Sequence, residues 1–278
     1  MIKVLDPGLY STIQDNGRYG YRNIGVPYSG FMDKESATIA NKIVGNELND
    51  CLLEITLMGP TLLFNNNYTL SVTGGDFNPT INDKKIELYK PIDVKLGDIL
   101  KINQTSNGAR CYLAFSGGIA SEKYLGSKSS LKNITPSYFL KKGDEIKVSN
   151  NNKLNFVFDH KLKLTTNSFL NVFSGPEFSI LNKDSLHNLF NKEFTIGINN
   201  RMAYNLTEQI QTKTKSIISS PVLPGTVQLT PSGNIIILHR DCQTTGGYSR
   251  ILQLNEKSLD DLSQLKNGDK INFKLINS

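Results

Sequence analysis

Leu265-Lys266-Asn267-Gly268-Asp269-Lys270-Ile271-Asn272-Phe273 reads as an apolar residue, a Lys-x-Gly-Asp turn and then alternating apolar positions. The same element occurs at Val94-Lys95-Leu96-Gly97-Asp98, leading to Leu100 and Ile102, and at Leu140-Lys141-Lys142-Gly143-Asp144, leading to Ile146 and Val148. Glycine supplies the positive φ of a turn, and the period-2 pattern that follows describes a half-buried strand. Three copies of one turn-and-strand element predict a mainly β chain; the turns themselves carry no chemistry.

Working outward, further short apolar or alternating runs appear at Leu62-Leu63-Phe64, Thr69-Leu70-Ser71-Val72, Cys111–Phe115 and Ile235–Leu238. Many short strands with turn signals between them suggest barrels or sandwiches. Helices are few. Asp33 is placed to N-cap a segment carrying Ala37, Ala40, Ile43 and Val44 and ended by Gly45. Pro176 suits a first helical turn ahead of Phe178, Leu181, Leu186, Leu189 and Phe190, and Ser258 a cap before Leu259 and Leu262. The polar run Ser149–Lys153 has no apolar period and marks a boundary, giving halves 1–153 and 154–278.

The chain has 278 residues and a formal net charge of +6, from 25 Lys and six Arg against 25 acidic residues, with 30 Asn. Such a composition keeps Arg where a flat, bidentate fork is needed, so the six Arg merit tracking. The Lys are scattered, which reads as solvation and gives no nucleic-acid surface. No apolar run approaches the ~20 residues of a membrane helix, and the N-terminus reads as a strand and not a signal peptide. Cys51, Cys111 and Cys242 form no C-x-x-C motif, which fits a reducing cytoplasm. The three His are far apart, so no metal site is expected. There is no G-x-x-x-x-G-K-[ST] phosphate loop, no Met-Lys biotin attachment site and no G-x-S-x-G elbow.

Three polar segments carry the candidate residues. The first runs from Gln14-Asp15 through Arg18 and Arg22 to Ser29-Gly30 and Asp33. Either it presents Arg18 and backbone N–H groups to an anion, with Asp15 orienting the guanidinium, or Asp15 and Arg18 pair and pin the loop. In the second, Thr73-Gly74-Gly75-Asp76 ends a strand on a glycine pair, which serves a tight corner or the close approach of a ligand. The third, His239-Arg240-Asp241-Cys242-Gln243-Thr244-Thr245-Gly246-Gly247-Tyr248, follows the apolar strand ending at Leu238. Ten polar or small residues after a buried strand form a default site. Cys242 reads there as a packed thiol, and His239 as either a base or a structural residue.

The motifs as a set resemble a known family. Pro7-Gly8-Leu9, Gln14-Asp15-x-Gly17-Arg18-x-Gly20 and Gly25-Val26-Pro27-x-Ser29-Gly30-x-Met32-Asp33 look like its opening signature. Leu53-Glu54-Ile55-Thr56, Ser116-Gly117-Gly118-Ile119, Pro224-Gly225-x-Val227-Gln228 and Gln243–Tyr248 continue it in order. The family is the allophanate-hydrolase subunit 2 or biotin-dependent carboxyltransferase-like group. It includes the C subunit of 5-oxoprolinase, antagonists of sporulation-kinase inhibitors and part of urea carboxylase.

The resemblance implies two β-barrel-like halves of cyclophilin-like character. It implies a component of an ATP-dependent complex that opens 5-oxo-L-proline to L-glutamate with 5-oxoprolinase subunits A and B, the B component being the most direct partner and the ATP site shared. Alternatives are a carboxyltransferase using biotin carried on another protein, or a non-catalytic module that sequesters a kinase inhibitor. On the matching motifs, Asp15, Arg18, Arg240 and Gln243 are expected to be catalytic. Gln14, Ser29, Asp33, Asp76, Thr244 and Tyr248 are expected to bind a small-molecule substrate. Cys242 and the stretch Phe194–Met202 depart from the family pattern.

Overall fold

The computed structural model describes residues 1–149, 168–211 and 215–276. Its chain forms two compact units, Met1–Arg18 with Ser29–Leu164 and Tyr19–Tyr28 with Thr165–Ser278. The boundary expected at 153/154, like His160, lies outside the described residues. Among the described residues the chain is mainly β with three α-helices.

Unit 1 holds a six-stranded and a five-stranded sheet. In the latter, Asn107–Phe115 runs antiparallel between Leu52–Thr56 and Tyr68–Asp76, and Tyr10–Gln14 lies beyond Leu52–Thr56. Alternation gives the central strand two buried faces. Cys111, Leu113 and Phe115 join the larger core with Val4, Leu62, Phe64, Leu70 and Leu100. Tyr112 and Ala114 face the helix Lys34–Ile43, packing with Phe31, Ala37, Ala40 and Leu52. That helix starts where its cap predicts, since Asp33 accepts the Ser36 N–H at 2.9 Å. Gly45 follows it in the left-handed region, at φ 72°.

Unit 2 is built on a closed barrel. Its strands run in the order Phe169–Ser174, Ser249–Leu254, Thr226–Leu229, Asn234–Leu238, Ala203–Gln209, Phe194–Asn199 and Lys270–Leu275. A parallel pairing, Leu170 opposite Phe273, closes the ring. Closure removes the sheet edges. A short two-stranded pair, Ser220–Pro221 with Thr245–Gly246, forms a separate sheet, its Gly246 lying against Gln228 of the barrel.

The repeated element has one geometry throughout. In each copy the Lys N–H donates to the Asp carboxylate, at 2.8 Å for Asp98, 2.8 Å for Asp144 and 2.9 Å for Asp269. The central glycines lie at φ 90°, 91° and 91°. Each copy leads directly into a strand, Ile99–Lys101, Glu145–Ile146 or Lys270–Leu275.

Two helix readings are corrected. The helix expected from Pro176 is a 3-10 turn at Phe178–Ile180, extended backbone at Leu181, and then a helix at Lys183–Asn191. The Asn182 side chain accepts the Ser185 N–H at 2.8 Å and so restarts the helix there. The last helix, Glu256–Ser263, is capped by Asn255 and not by Ser258, whose hydroxyl instead accepts the Asn171 N–H.

Candidate functional site

In unit 1, Asp15 lies at the end of strand Tyr10–Gln14, and its carboxylate accepts four hydrogen bonds. Ser127 and Ser129 hydroxyls donate at 2.6 Å each, the Lys128 N–H at 2.7 Å and the Gly17 N–H at 2.9 Å. Arg18, 1% exposed, donates to the carbonyls of Ser129 at 2.7 Å and Tyr124 at 3.2 Å. Gln14 donates to Thr12 Oγ1 and to the Ser130 carbonyl. The structure thus brings Gln14, Asp15 and Arg18 together on the loop 124–130, which they fasten to the strand end.

Nearby in sequence, Ser29 is buried at φ 57°, and its hydroxyl makes no hydrogen bond. Gly30 follows at φ 84°, where a Cβ would fall 2.8 Å from the Gly17 nitrogen. Left-handed backbone at Ser29 is strained, because a side chain there crowds its own carbonyl.

Asp33 belongs to a second buried cluster. Its N–H donates to the Tyr112 hydroxyl at 2.7 Å, and Tyr112 donates to Glu54 at 3.1 Å. Glu54 also accepts the Met32 N–H at 2.7 Å. Burial, with Glu54 and Asp33 alongside, holds the Tyr112 phenol well above its ordinary value. Sequence reasoning noted Glu54 only as part of a motif. Its place opposite Tyr112 in the central sheet is what makes it part of a site. Asp76 stands apart from both clusters and closes a local turn on the Asn78 N–H at 2.8 Å. The glycine pair before it meets protein and not open space: a Cβ on Gly74 or Gly75 would lie 2.7 Å from the carbonyl oxygen of Arg110 or Asn107.

Unit 2 contains the third segment. Arg240 is bound to Glu256 at 2.9 Å and Asp260 at 3.4 Å. Asp241 and Arg201 form a two-point pair at 2.8 and 3.0 Å. His239 is fully buried; its Nδ1 accepts the Arg240 N–H at 2.9 Å, and Nε2 lies 3.1 Å from the Leu259 carbonyl. That pattern is satisfied by a neutral ring with its proton on Nε2. Gln243 and Tyr248 are exposed, and Thr244 is half-buried.

Arg22, a residue of the first segment that the sequence left without a role, belongs to unit 2 and meets the third segment there. Its guanidinium donates to the carbonyls of Val222, Gln243 and Thr244 and stacks on the Tyr28 ring at 4.8 Å. Cys242 beside it is a buried free thiol. Burial pushes that thiol up to about 11, against the opposing pull of Arg22. A thiol held that high is packing and not a nucleophile.

Among the described residues no group of His, Cys, Asp and Glu could hold a metal ion, and no helix is long and apolar enough to cross a membrane.

Comparison with known proteins gives a consistent result. The family description "carboxyltransferase domain, subdomain A and B" matches residues 24–275. The C subunit of 5-oxoprolinase from Escherichia coli is 31% identical over 98% of this chain and 90% of its own length. Among solved structures, Kluyveromyces lactis urea amidolyase superposes with TM-score 0.91 and 31% identity over 99% of this chain, but only 19% of that one. TTHA0988 superposes with TM-score 0.90 and 26% identity over 98% of this chain. This chain spans 55% of the TTHA0988 length, about half of that solved protein.

Proposed function

From the premise that the chain belongs to the carboxyltransferase-domain family, subdomains A and B, we propose that it is one component of an ATP-dependent 5-oxoprolinase. One observation carries this reading. The C subunit of the E. coli 5-oxoprolinase aligns with nearly all of both chains, whereas the urea amidolyase match uses a small part of a much longer protein. In this reading 5-oxoprolinase subunits A and B are the partners, with B the more direct.

A cyclic amide is a weak electrophile, so ATP activates its carbonyl as a phosphorylated imidate before water attacks and L-glutamate is released. Arg201, Arg240 and Arg250 are each engaged with carboxylates, which makes them poor ligands for a triphosphate. The reading therefore puts the nucleotide on a partner chain. The exposed Gln243 and Tyr248 are the groups of the third segment open to substrate or partner. The test is reconstitution with subunits A and B and measurement of glutamate release from 5-oxo-L-proline with ATP. Glutamate formation that depends on this chain is expected; none from a folded, complete mixture would overturn the reading.

The family itself favours a second reading, a carboxyltransferase acting on biotin carried by another protein. Calorimetric binding of carboxybiotin, to this chain alone or with its B partner, would support it.

A further inference from the structure

Residues Tyr19–Tyr28 group with unit 2, while the chain on either side of them belongs to unit 1. They form a loop closed on itself. The Tyr19 and Tyr28 rings at its two ends meet at 5.1 Å, and Arg22 lies over the Tyr28 ring at 4.8 Å. Its backbone hydrogen bonds run inside the loop: the Ile24 and Val26 N–H groups donate to the Tyr21 carbonyl, and the Gly25 N–H donates to that of Arg22. A loop with joined ends that is packed by its own side chains is an Ω-loop.

Few contacts tie this loop to the rest of unit 2. Tyr19 and Ile24 are 52% and 65% exposed, and of residues 20–28 only Val26 is buried. Among the described residues, the hydrogen bonds from 20–28 to other parts of unit 2 all come from Arg22. Its guanidinium holds the carbonyls of Val222, Gln243 and Thr244 and the thiol of Cys242. Arg201, Arg240 and Arg250 each face a carboxylate, whereas Arg22 is held by neutral groups. A grip on carbonyls lacks the Coulomb attraction of an ion pair and gives way more easily. Lifting the loop breaks no strand pairing and none of its own backbone bonds. It costs the contacts of one guanidinium and the burial of one valine. Segments with so few buried apolar contacts open locally, far below the cost of global unfolding.

We propose that Tyr19–Tyr28 is a strap latched by Arg22, which opens as one body while the barrel stays folded and uncovers the turn Cys242–Thr244. The latch decides whether the Gln243 and Thr244 carbonyls are occupied or open to solvent, and whether the Cys242 thiol is covered. The device belongs to this chain alone and needs neither partner nor substrate, so it stands or falls apart from the 5-oxoprolinase reading.

The buried thiols report it. Cys51 and Cys111 lie in the core of unit 1, and Cys242 packs with Val222 and Leu238 beneath the guanidinium. The purified full chain is treated with iodoacetamide, and alkylation of each cysteine is followed by peptide mapping at increasing urea below the unfolding transition. In the parent, Cys242 should react roughly tenfold or more faster than Cys111, with a shallow urea dependence, because the slope follows the surface exposed and a strap exposes little. Arg22→Gln should speed Cys242 roughly tenfold further and leave Cys51, Cys111 and the thermal midpoint near the parent. Arg22→Lys, which keeps the charge and loses the fork, should fall between the two. A steep urea dependence at Cys242 would mean that unit 2 unfolds as a whole, and would overturn the proposal. So would an Arg22→Gln variant that leaves the Cys242 rate unchanged, or one that speeds all three thiols alike. Should Arg22→Gln fail to fold, the urea dependence of the parent decides by itself.

Discussion

Asp15 in unit 1 and Asp241 in unit 2 are both acids in polar loops, and the two units neutralise them by different means. Asp15 is saturated by neutral donors, two hydroxyls and two backbone N–H groups. Asp241 faces the fork of Arg201. The first device depends on geometry: the donors come from Gly17, Ser127, Lys128 and Ser129, so the carboxylate holds a distant loop in place. The second depends on charge and extends across unit 2, where Arg240 and Arg250 also close on acids. Removing an acceptor should therefore hurt unit 1 most, and acid should reach unit 2 through its ion pairs.

The largest effect is expected at Asp15. Asp15→Ala leaves four donors without their acceptor, and a loss of about 4 kcal/mol in urea unfolding is expected. Asp15→Asn keeps one acceptor oxygen and should cost roughly half as much. If Asp15→Ala cost no more than an ordinary surface change, loop 124–130 would be held by something other than this carboxylate.

What the two units share is the most legible part of the sequence. Lys-x-Gly-Asp announces the same turn three times because its defining contact, the Lys N–H to the Asp carboxylate, lies within four residues, although each glycine N–H also reaches a distant residue, Phe64, Val4 or Ile196. The Asp33 cap is readable for the same reason. The partners of Asp15 are not, since Ser127 and Ser129 lie more than a hundred residues away and nothing local marks them. Glu54 enters the sequence reading only within the motif Leu53-Glu54-Ile55-Thr56, and a strand buried on both faces is what turns it inward. Pro176 misplaces a helix start because an Asn side chain six residues later makes the better cap. Gln228 stands in the Pro224-Gly225-x-Val227-Gln228 motif, but its burial is not legible there, because it comes from the Thr245–Gly246 turn packed against it. The shared turn gives a prediction of intermediate size. Space around Gly97, Gly143 and Gly268 is open, so Ala meets no clash there and suffers only from its φ near 90°. Gly97→Ala and Gly268→Ala should therefore each cost about 1–2 kcal/mol in denaturant unfolding, alike in the two units. Unequal losses would mean that one copy does more than turn the chain.

The smallest effect is expected where charge rather than geometry holds the structure. Arg250 pairs with Glu177 at 2.7 Å, and its hydrogen bonds hold the Glu177 carboxyl below the ordinary value of 4.5. The unfolded chain then binds more protons than the folded one just below that value. The stabilisation is complete above the unfolded value and is lost as pH falls through the depressed folded one. Glu177→Gln should cost about 1 kcal/mol at neutral pH, because the pair is partly solvated. In acid the variant and parent should converge, since protonated Glu177 is then as neutral as Gln. Asp15→Ala, which removes an acceptor and not only a charge, should stay less stable than the parent after that convergence. Measuring both variants across the acid range separates the two devices: a Glu177→Gln deficit that persisted in acid would show that this pair, too, is held by geometry and not by charge.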